Sequence, residues 1–197
     1  LAKAKPPVIY VLADGPKTKE DYDNCNETQR IALNPNWKCK VVPFVQNSNK
    51  GMVYQFKEGL QYVFNNYESL IFLHDDCYVD PAFYEFSLEL INKYKYNKKI
   101  GQINLTNLIY KNSKSFSYFL SKRPLIWGFA TWKRVWKTYN IEMPEWKNSN
   151  QQKILKYYFT SDRERKSVKK MFDLHCENSD PWTFDYQWDF NIMSKFM

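Results

Sequence analysis

Through the first hundred residues, apolar runs alternate with stretches whose apolar positions recur every three or four residues. Pro7-Val-Ile-Tyr-Val-Leu-Ala13 is a continuous run rich in β-branched residues, the pattern of a strand buried on both faces of a parallel sheet. Asp14-Gly15-Pro16 ends it in a turn. Between Lys19 and Leu33, the positions Tyr22, Cys25, Ile31 and Leu33 stand among polar residues as one helix face, which stops before Pro35. Lys40 to Gln46 reads as a second strand. Past the polar loop Asn47 to Lys50, the residues Met52, Phe56, Leu60, Val63 and Phe64 mark a helix with one face on the sheet. A third strand, Leu70 to Leu73, runs straight into His74-Asp75-Asp76. Pro81 then opens a helix bearing Phe83, Phe86, Leu90 and Ile91, with Asp80 as its N-cap, and Ile100 to Leu105 is a fourth strand.

Strands alternating with helices at this spacing imply right-handed crossovers and an α/β fold, an open, mostly parallel sheet flanked by helices. Function is then expected at the carboxyl ends of the strands. Beyond residue 106 the regularity fades. There the pattern predicts a strand over Phe116 to Leu120, a helix over Ala130 to Tyr139, and three further helical stretches: Gln151 to Phe159, Asp162 to Cys176 and Phe184 to Lys195. No internal repeat or linker-like boundary breaks the 197 residues, so a single domain with a helical C-terminal part is expected.

Composition narrows the class. With 5 glycines, 18% aromatic and 25% charged residues, the chain is neither collagen-like nor low in complexity. A net charge of +8 suits a polyanionic ligand, a nucleic acid or an anionic membrane surface without choosing among them. No apolar run reaches the roughly 18 residues of a membrane span. Because the chain opens at Leu1 without an initiator Met or a charged-then-apolar leader, we expect a domain cut from a longer protein. The cysteines Cys25, Cys39, Cys77 and Cys176 lack Cys-x-x-Cys spacing, which favours free thiols in the cytoplasm over disulfides or zinc.

The chemistry concentrates where the third strand ends. Two consecutive carboxylates at a sheet's carboxyl edge call for a positive partner, and Asp75 and Asp76 offer oxygen ligands to a hard divalent cation, Mn²⁺ or Mg²⁺. Neither G-x-x-x-x-G-K nor G-x-G-x-x-G occurs, so a diphosphate would be neutralised by the cation and by side chains rather than by a glycine cradle.

Four segments stand in a telling order: the strand ending in Asp14-Gly15-Pro16, Asn49-Lys50-Gly51-Met52 opening a helix, Phe72-Leu-His-Asp-Asp76 with Pro81-x-Phe83, and Trp127-Gly-Phe-Ala-Thr-Trp132. Over roughly residues 7 to 190 this resembles nucleotide-sugar glycosyltransferases of the GT-A (Rossmann-like) fold, closest to the branch around N-acetylglucosaminyltransferase I and its bacterial relatives. The resemblance implies a nucleotide-binding half over residues 1–106 and an acceptor-side half over 107–197. It implies a nucleotide-sugar donor, in all expectation a UDP-sugar, and a glycan or other hydroxyl acceptor. Asp76 matches the metal ligand of the family's Glu-Asp-Asp motif and Asp75 its neighbour, while His74 stands where the family has Glu. Asp14 matches the position that hydrogen-bonds uracil, although its side chain can equally satisfy its own turn. Arg30 and Lys50 complete the candidate nucleotide-side residues.

An inverting transfer needs a carboxylate to take the acceptor's proton. Trp182-Thr-Phe-Asp-Tyr-Gln-Trp188 is similar to the family's late aromatic-Asp cluster, with Asp185 the candidate base and Asp189 the fallback; the alternative for Asp185 is an ordinary helix-end acid. Trp127, Gly128, Phe129 and Asn104 are the candidate acceptor-side residues. The basic run Arg163-Glu-Arg-Lys166 with Lys169 and Lys170 reads as a solvated helix face or as a dock for a membrane surface. Two other classes stand beside the enzyme: a basic binder of nucleic acid or anionic glycan, and a catalytically inert GT-A-like module. Lys outnumbers Arg 24 to 5, and the aromatics follow apolar patterns, which weighs against nucleic acid as partner.

Overall fold

The computed structural model describes residues 1–108, 117–148, 150–177 and 182–196. The chain gathers into two compact units, one of Leu1–Tyr67 with Val79–Phe86 and one of Glu68–Tyr78 with Ser87–Met197.

In the first unit, β1 (Val8–Ala13) and β2 (Lys40–Val45) pair in parallel, Val8 opposite Lys40 through Ala13 opposite Val45. Among the described residues they form a sheet of two strands. The Val-Ile-Tyr-Val-Leu run is therefore half-buried along its whole length, against the expectation of a strand enclosed on both faces. Pro43 in β2 explains part of this limit, since it removes a ladder donor and is tolerated where no further strand must be added. Helices α1 (Tyr22–Leu33) and α2 (Met52–Phe64) flank the pair. The periodic stripe on α2 buries Phe56, Leu60, Val63 and Phe64, while Met52 at its start stays exposed. Helix and strand approach closely: a Cβ on Gly59 would sit 2.6 Å from a Leu12 methyl, so a larger residue there would have to displace the Leu12 side chain.

The second unit holds an antiparallel sheet in the order β3-β5-β4, built from β3 (Ser69–Phe72), β4 (Gln102–Asn104) and β5 (Phe129–Trp132). Ser69 faces Trp132 and Phe72 faces Phe129 on one side; Gln102 faces Thr131 and Asn104 faces Phe129 on the other. The chain is thus mixed α/β, and among the described residues parallel pairing is confined to β1 and β2 in place of the expected open, mostly parallel sheet. Phe129 to Trp132, expected within a helix from Ala130 onward, forms the fully buried central strand; only Lys133–Trp136 is helical there (α4). The spacing of Trp132, Val135, Trp136 and Tyr139 imitates a helix, but two flanking strands take up the Phe-Ala-Thr-Trp backbone, and tertiary pairing outweighs local period. No strand forms over Ser117–Leu120. Phe116 lies outside the described residues.

Helix α3 (Phe83–Tyr94) begins in the first unit and ends in the second. Asp80 caps it as expected, its Oδ1 accepting from the Ala82 N–H at 2.8 Å. Among the described residues, α4 is followed by α5 (Pro144–Asn148), α6 (Gln151–Tyr158), α7 (Asp162–Glu177) and α8 (Asp185–Lys195). They enclose a core of Met143, Trp146, Leu155, Phe172, Phe190 and Met193. Trp146 reaches out of it to donate to Asp173 Oδ1 at 3.0 Å, so its indole N–H is satisfied at the cluster's edge. Among the described residues, no helix is long and apolar enough to cross a membrane.

Candidate functional site

Among the described residues, Asp14 in the first unit and the carboxylates of α8 in the second differ in how far their hydrogen bonds are met.

In the first unit the focus is Asp14, at the end of β1. Its Oδ1 accepts from the N–H groups of Gly15 at 2.9 Å and Lys50 at 2.8 Å and from Gln55 Nε2 at 3.2 Å. Its Oδ2 accepts from the Gly51 N–H at 2.8 Å and from Asn49 Nδ2 at 3.0 Å. A carboxylate has about four lone-pair sites, and these five donors fill them. Asp14 therefore commits its acceptor capacity to pinning the Asn49–Gly51 turn, with no lone pair left for a uracil ring. Gly51 has φ +86°, a conformation that admits glycine and aligns its N–H with the carboxylate. Lys50 takes part through its backbone, its side chain exposed. Arg30 is exposed and paired with Glu27 on its own helix at 2.7 Å. A groove of about 490 Å³ in this unit, lined by Ile9, Val11, Ile31 and Trp37 among others, contains none of the expected site residues.

In the second unit the strand end behaves otherwise. The Cys77 N–H donates to the His74 carbonyl at 3.2 Å, closing a turn with Asp75 and Asp76 at its two central positions. Both carboxylates are consequently exposed, so burial does not oblige them to find a cation. Asp76 accepts one weak bond, from the Cys77 thiol at 3.8 Å. Among the described residues no group of three or more His, Cys, Asp or Glu converges on a metal position. The donor set is one or two hard oxygens, which fits Mg²⁺ or Mn²⁺ completing its shell with water and ligand phosphate and does not fit zinc.

His74 turns the other way. Its ring stacks on Phe184 at 5.6 Å and 7° and meets the edge of Phe72 at 4.9 Å, and its Nε2 is buried without a hydrogen-bond partner. Phe184 directly precedes α8, whose first turn carries Asp185 and whose second carries Asp189 on the same face. Each has a buried Oδ1 without a partner. Burial pushes the Asp185 carboxyl above the usual range, while a hydrogen bond with Thr183 and the imidazoles of His74 and His175 pull it back. Burial holds Asp189 higher still, at about 8, with Arg123 opposing and Asp185 reinforcing the shift. Three expected residues, His74, Asp185 and Asp189, thus meet in one half-buried polar cluster.

The remaining expected residues divide. Trp127 is 50% exposed, held by a hydrogen bond from Thr106 to its carbonyl. Gly128 has φ +79° at the entry to β5, and a Cβ there would lie 3.2 Å from a Leu73 methyl. Phe129 is not available to an acceptor: it is 0% exposed and its ring stacks at 5.2 Å on Trp188. Asn104 uses its amide inside the unit, accepting from the Leu125 N–H at 3.1 Å and donating to the Arg123 carbonyl at 3.0 Å. Sequence reasoning missed Arg123, His175 and Gln187. Arg123 pairs with Glu164 at 2.6 Å and acts on Asp189 across some sixty residues of chain, a contact with no local signature.

No family model matches the sequence, and no curated protein or solved structure is significantly similar to it.

Proposed function

We propose that the protein is a metal-dependent glycosyltransferase that moves a sugar from a nucleotide-sugar donor, a UDP-sugar by resemblance, to a hydroxyl acceptor with inversion. One observation carries this reading: Asp185 lies in electrostatic reach of His74, at the end of the strand that also presents Asp75 and Asp76, and its carboxyl is raised by burial toward the range of a working base. The finer GT-A arrangement belongs to the same reading, as does a cytoplasmic setting in which Cys25, Cys39, Cys77 and Cys176 remain free.

In the proposed reaction the acceptor oxygen bonds to the anomeric carbon as its proton passes to Asp185. The carbon–oxygen bond to the diphosphate breaks, and the nucleoside diphosphate leaves with the electron pair. Asp76, with Asp75 beside it, would hold the divalent cation, which when bound neutralises the diphosphate. Asp185 takes the proton. His74, clamped between Phe72 and Phe184, contributes a fixed polar edge beside that carboxylate. Trp127 presents an exposed aromatic face suited to a sugar ring.

Turnover with a panel of nucleotide sugars and Mn²⁺ tests the reading. Asp185→Asn should lower kcat by about 10²- to 10⁴-fold with donor affinity nearly unchanged, because the amide keeps the shape and cannot accept the proton. Full activity in both Asp185→Asn and Asp189→Asn would refute the base.

A further inference from the structure

In the second unit, the segment that follows Ser117 is tied down on both sides of an exposed apolar pair. Before the pair, the Tyr118 hydroxyl accepts from Lys93 Nζ at 2.6 Å and lies 2.9 Å from the Tyr94 hydroxyl, which fixes it to the end of α3. After the pair, Lys122 Nζ sits 4.0 Å over the Tyr157 ring of α6. Arg123 lies 4.5 Å over the Phe159 ring and pairs with Glu164 of α7 at 2.6 Å. Between these anchors Phe119 is 58% exposed and Leu120 is 69% exposed. A lone exposed apolar side chain needs no account, but two in succession, held in solvent by ties to α3, α6 and α7, make a fixed apolar tip.

Arg123 brings this segment to the first turn of α7, where a basic face begins. α7 buries Phe172, His175 and Cys176 and leaves Arg163, Lys166, Lys170 and Leu174 exposed at helical spacing on its opposite side. The acids of this helix are largely met from within the fold: Asp162 by Arg165, Glu164 by Arg123 and Asp173 by Lys169. Among the described residues, no ion pair uses Lys122, Lys156, Arg163, Lys166 or Lys170.

We propose that this face docks on an anionic lipid surface, with Phe119 and Leu120 entering the boundary between headgroups and acyl chains while those five cations meet lipid phosphates. Charge complementarity selects a polyanion. The apolar tip selects a membrane among polyanions, because a nucleic-acid backbone or a sulfated glycan offers Leu120 no apolar phase to enter. Tyr157, half exposed beneath Lys122, adds an amphipathic ring of the kind favoured at that boundary. The proposal stands independently of glycosyl transfer.

Co-sedimentation of the whole chain with vesicles tests it. Vesicles of phosphatidylcholine with about one third phosphatidylglycerol should retain the protein, pure phosphatidylcholine should not, and added salt should release it. A cation near such a surface strengthens binding about fivefold, so Arg163→Gln, Lys166→Gln and Lys170→Gln together should weaken it about 10²-fold. The same change of charge on the first unit, Lys3→Gln with Lys5→Gln and Lys38→Gln, should weaken it by about twofold at most. Phe119→Ser with Leu120→Ser keeps every charge and should cost at least about tenfold. All these positions are exposed, and an unchanged Tm verifies that each variant folds. Equal losses from the two basic triples would mean attraction by net charge alone and overturn the proposal, as would retention by pure phosphatidylcholine. Undiminished vesicle binding after Phe119→Ser with Leu120→Ser would overturn it too, and would leave the basic face to a nucleic acid or an anionic glycan.

Discussion

Two carboxyls four residues apart on α8 receive different tasks from their surroundings. Asp189, with a pKa of about 8, keeps its proton at neutral pH. In the unfolded chain it ionises near the ordinary value of about 4, so between about pH 4 and pH 8 the native state holds a proton that the unfolded state has lost. Stability therefore falls as pH rises through that window. Asp189→Asn should flatten the fall, and Tm measured from pH 4 to pH 8 in both proteins would show it; parallel curves would mean that Asp189 is ionised in the fold. Asp14 illustrates the opposite case, a carboxylate whose donors are all at hand. Replacing it by alanine leaves three backbone N–H groups of the Gly15 and Lys50–Gly51 segments without their acceptor. A loss of about 1–3 kcal/mol in urea unfolding is expected, and an unchanged midpoint would show that water serves those groups equally well.

At the scale of elements, legibility follows whether a segment's partner is near in sequence. β1, α1, β2, α2 and β3 were readable to within a few residues, because an apolar run or a three-and-four spacing states the element and its buried face together. What β1 packs against was not readable: the same Val-Ile-Tyr-Val-Leu run serves a half-buried two-stranded sheet as well as a buried centre. β5 was missed for the complementary reason. Its four residues are too few to show a period, and its identity comes from β3 and β4 on either side. Of the candidate site, His74, Asp185 and Asp189 were reachable from motif order. His175 and Gln187 were not, since a histidine inside a charged helix carries no mark of the neighbour it will meet. Gly128 gives this scale its own test. With φ +79° and a Leu73 methyl beside the missing Cβ, Gly128→Ala should cost about 1–2 kcal/mol and loosen the start of β5, read as faster amide exchange at Leu105, whose N–H donates to the Gly128 carbonyl.

For the molecule as a whole, the second unit carries the proposed metal ligand, base and His74 together, while Asp14 belongs to the first. Ligand binding at the proposed site should respond to Asp76. Calorimetry with UDP should show binding that needs a divalent cation and vanishes in EDTA or in Asp76→Ala; equal affinity in EDTA would remove the metal from the reading. At a hundredfold excess over Kd such binding adds about 2.7 kcal/mol to stability, enough for a clear thermal shift.

The seat of β5 between β3 and β4 also has a consequence for how the chain is made. β3 leaves the ribosome early, yet its hydrogen-bonding partner follows about sixty residues later, so the strand that ends in His74-Asp75-Asp76 must wait with its ladder edge open. β1 and β2 face no such delay, being joined through a single intervening helix. Synthesis thus has an early settled stretch and a late one, separated by an interval in which Leu70-Ile-Phe-Leu73 is an apolar strand without a mate. A chain halted before Phe129 would stay in that interval, and Glu68 before the strand with Asp75 and Asp76 after it would be its charged guard against pairing with another copy.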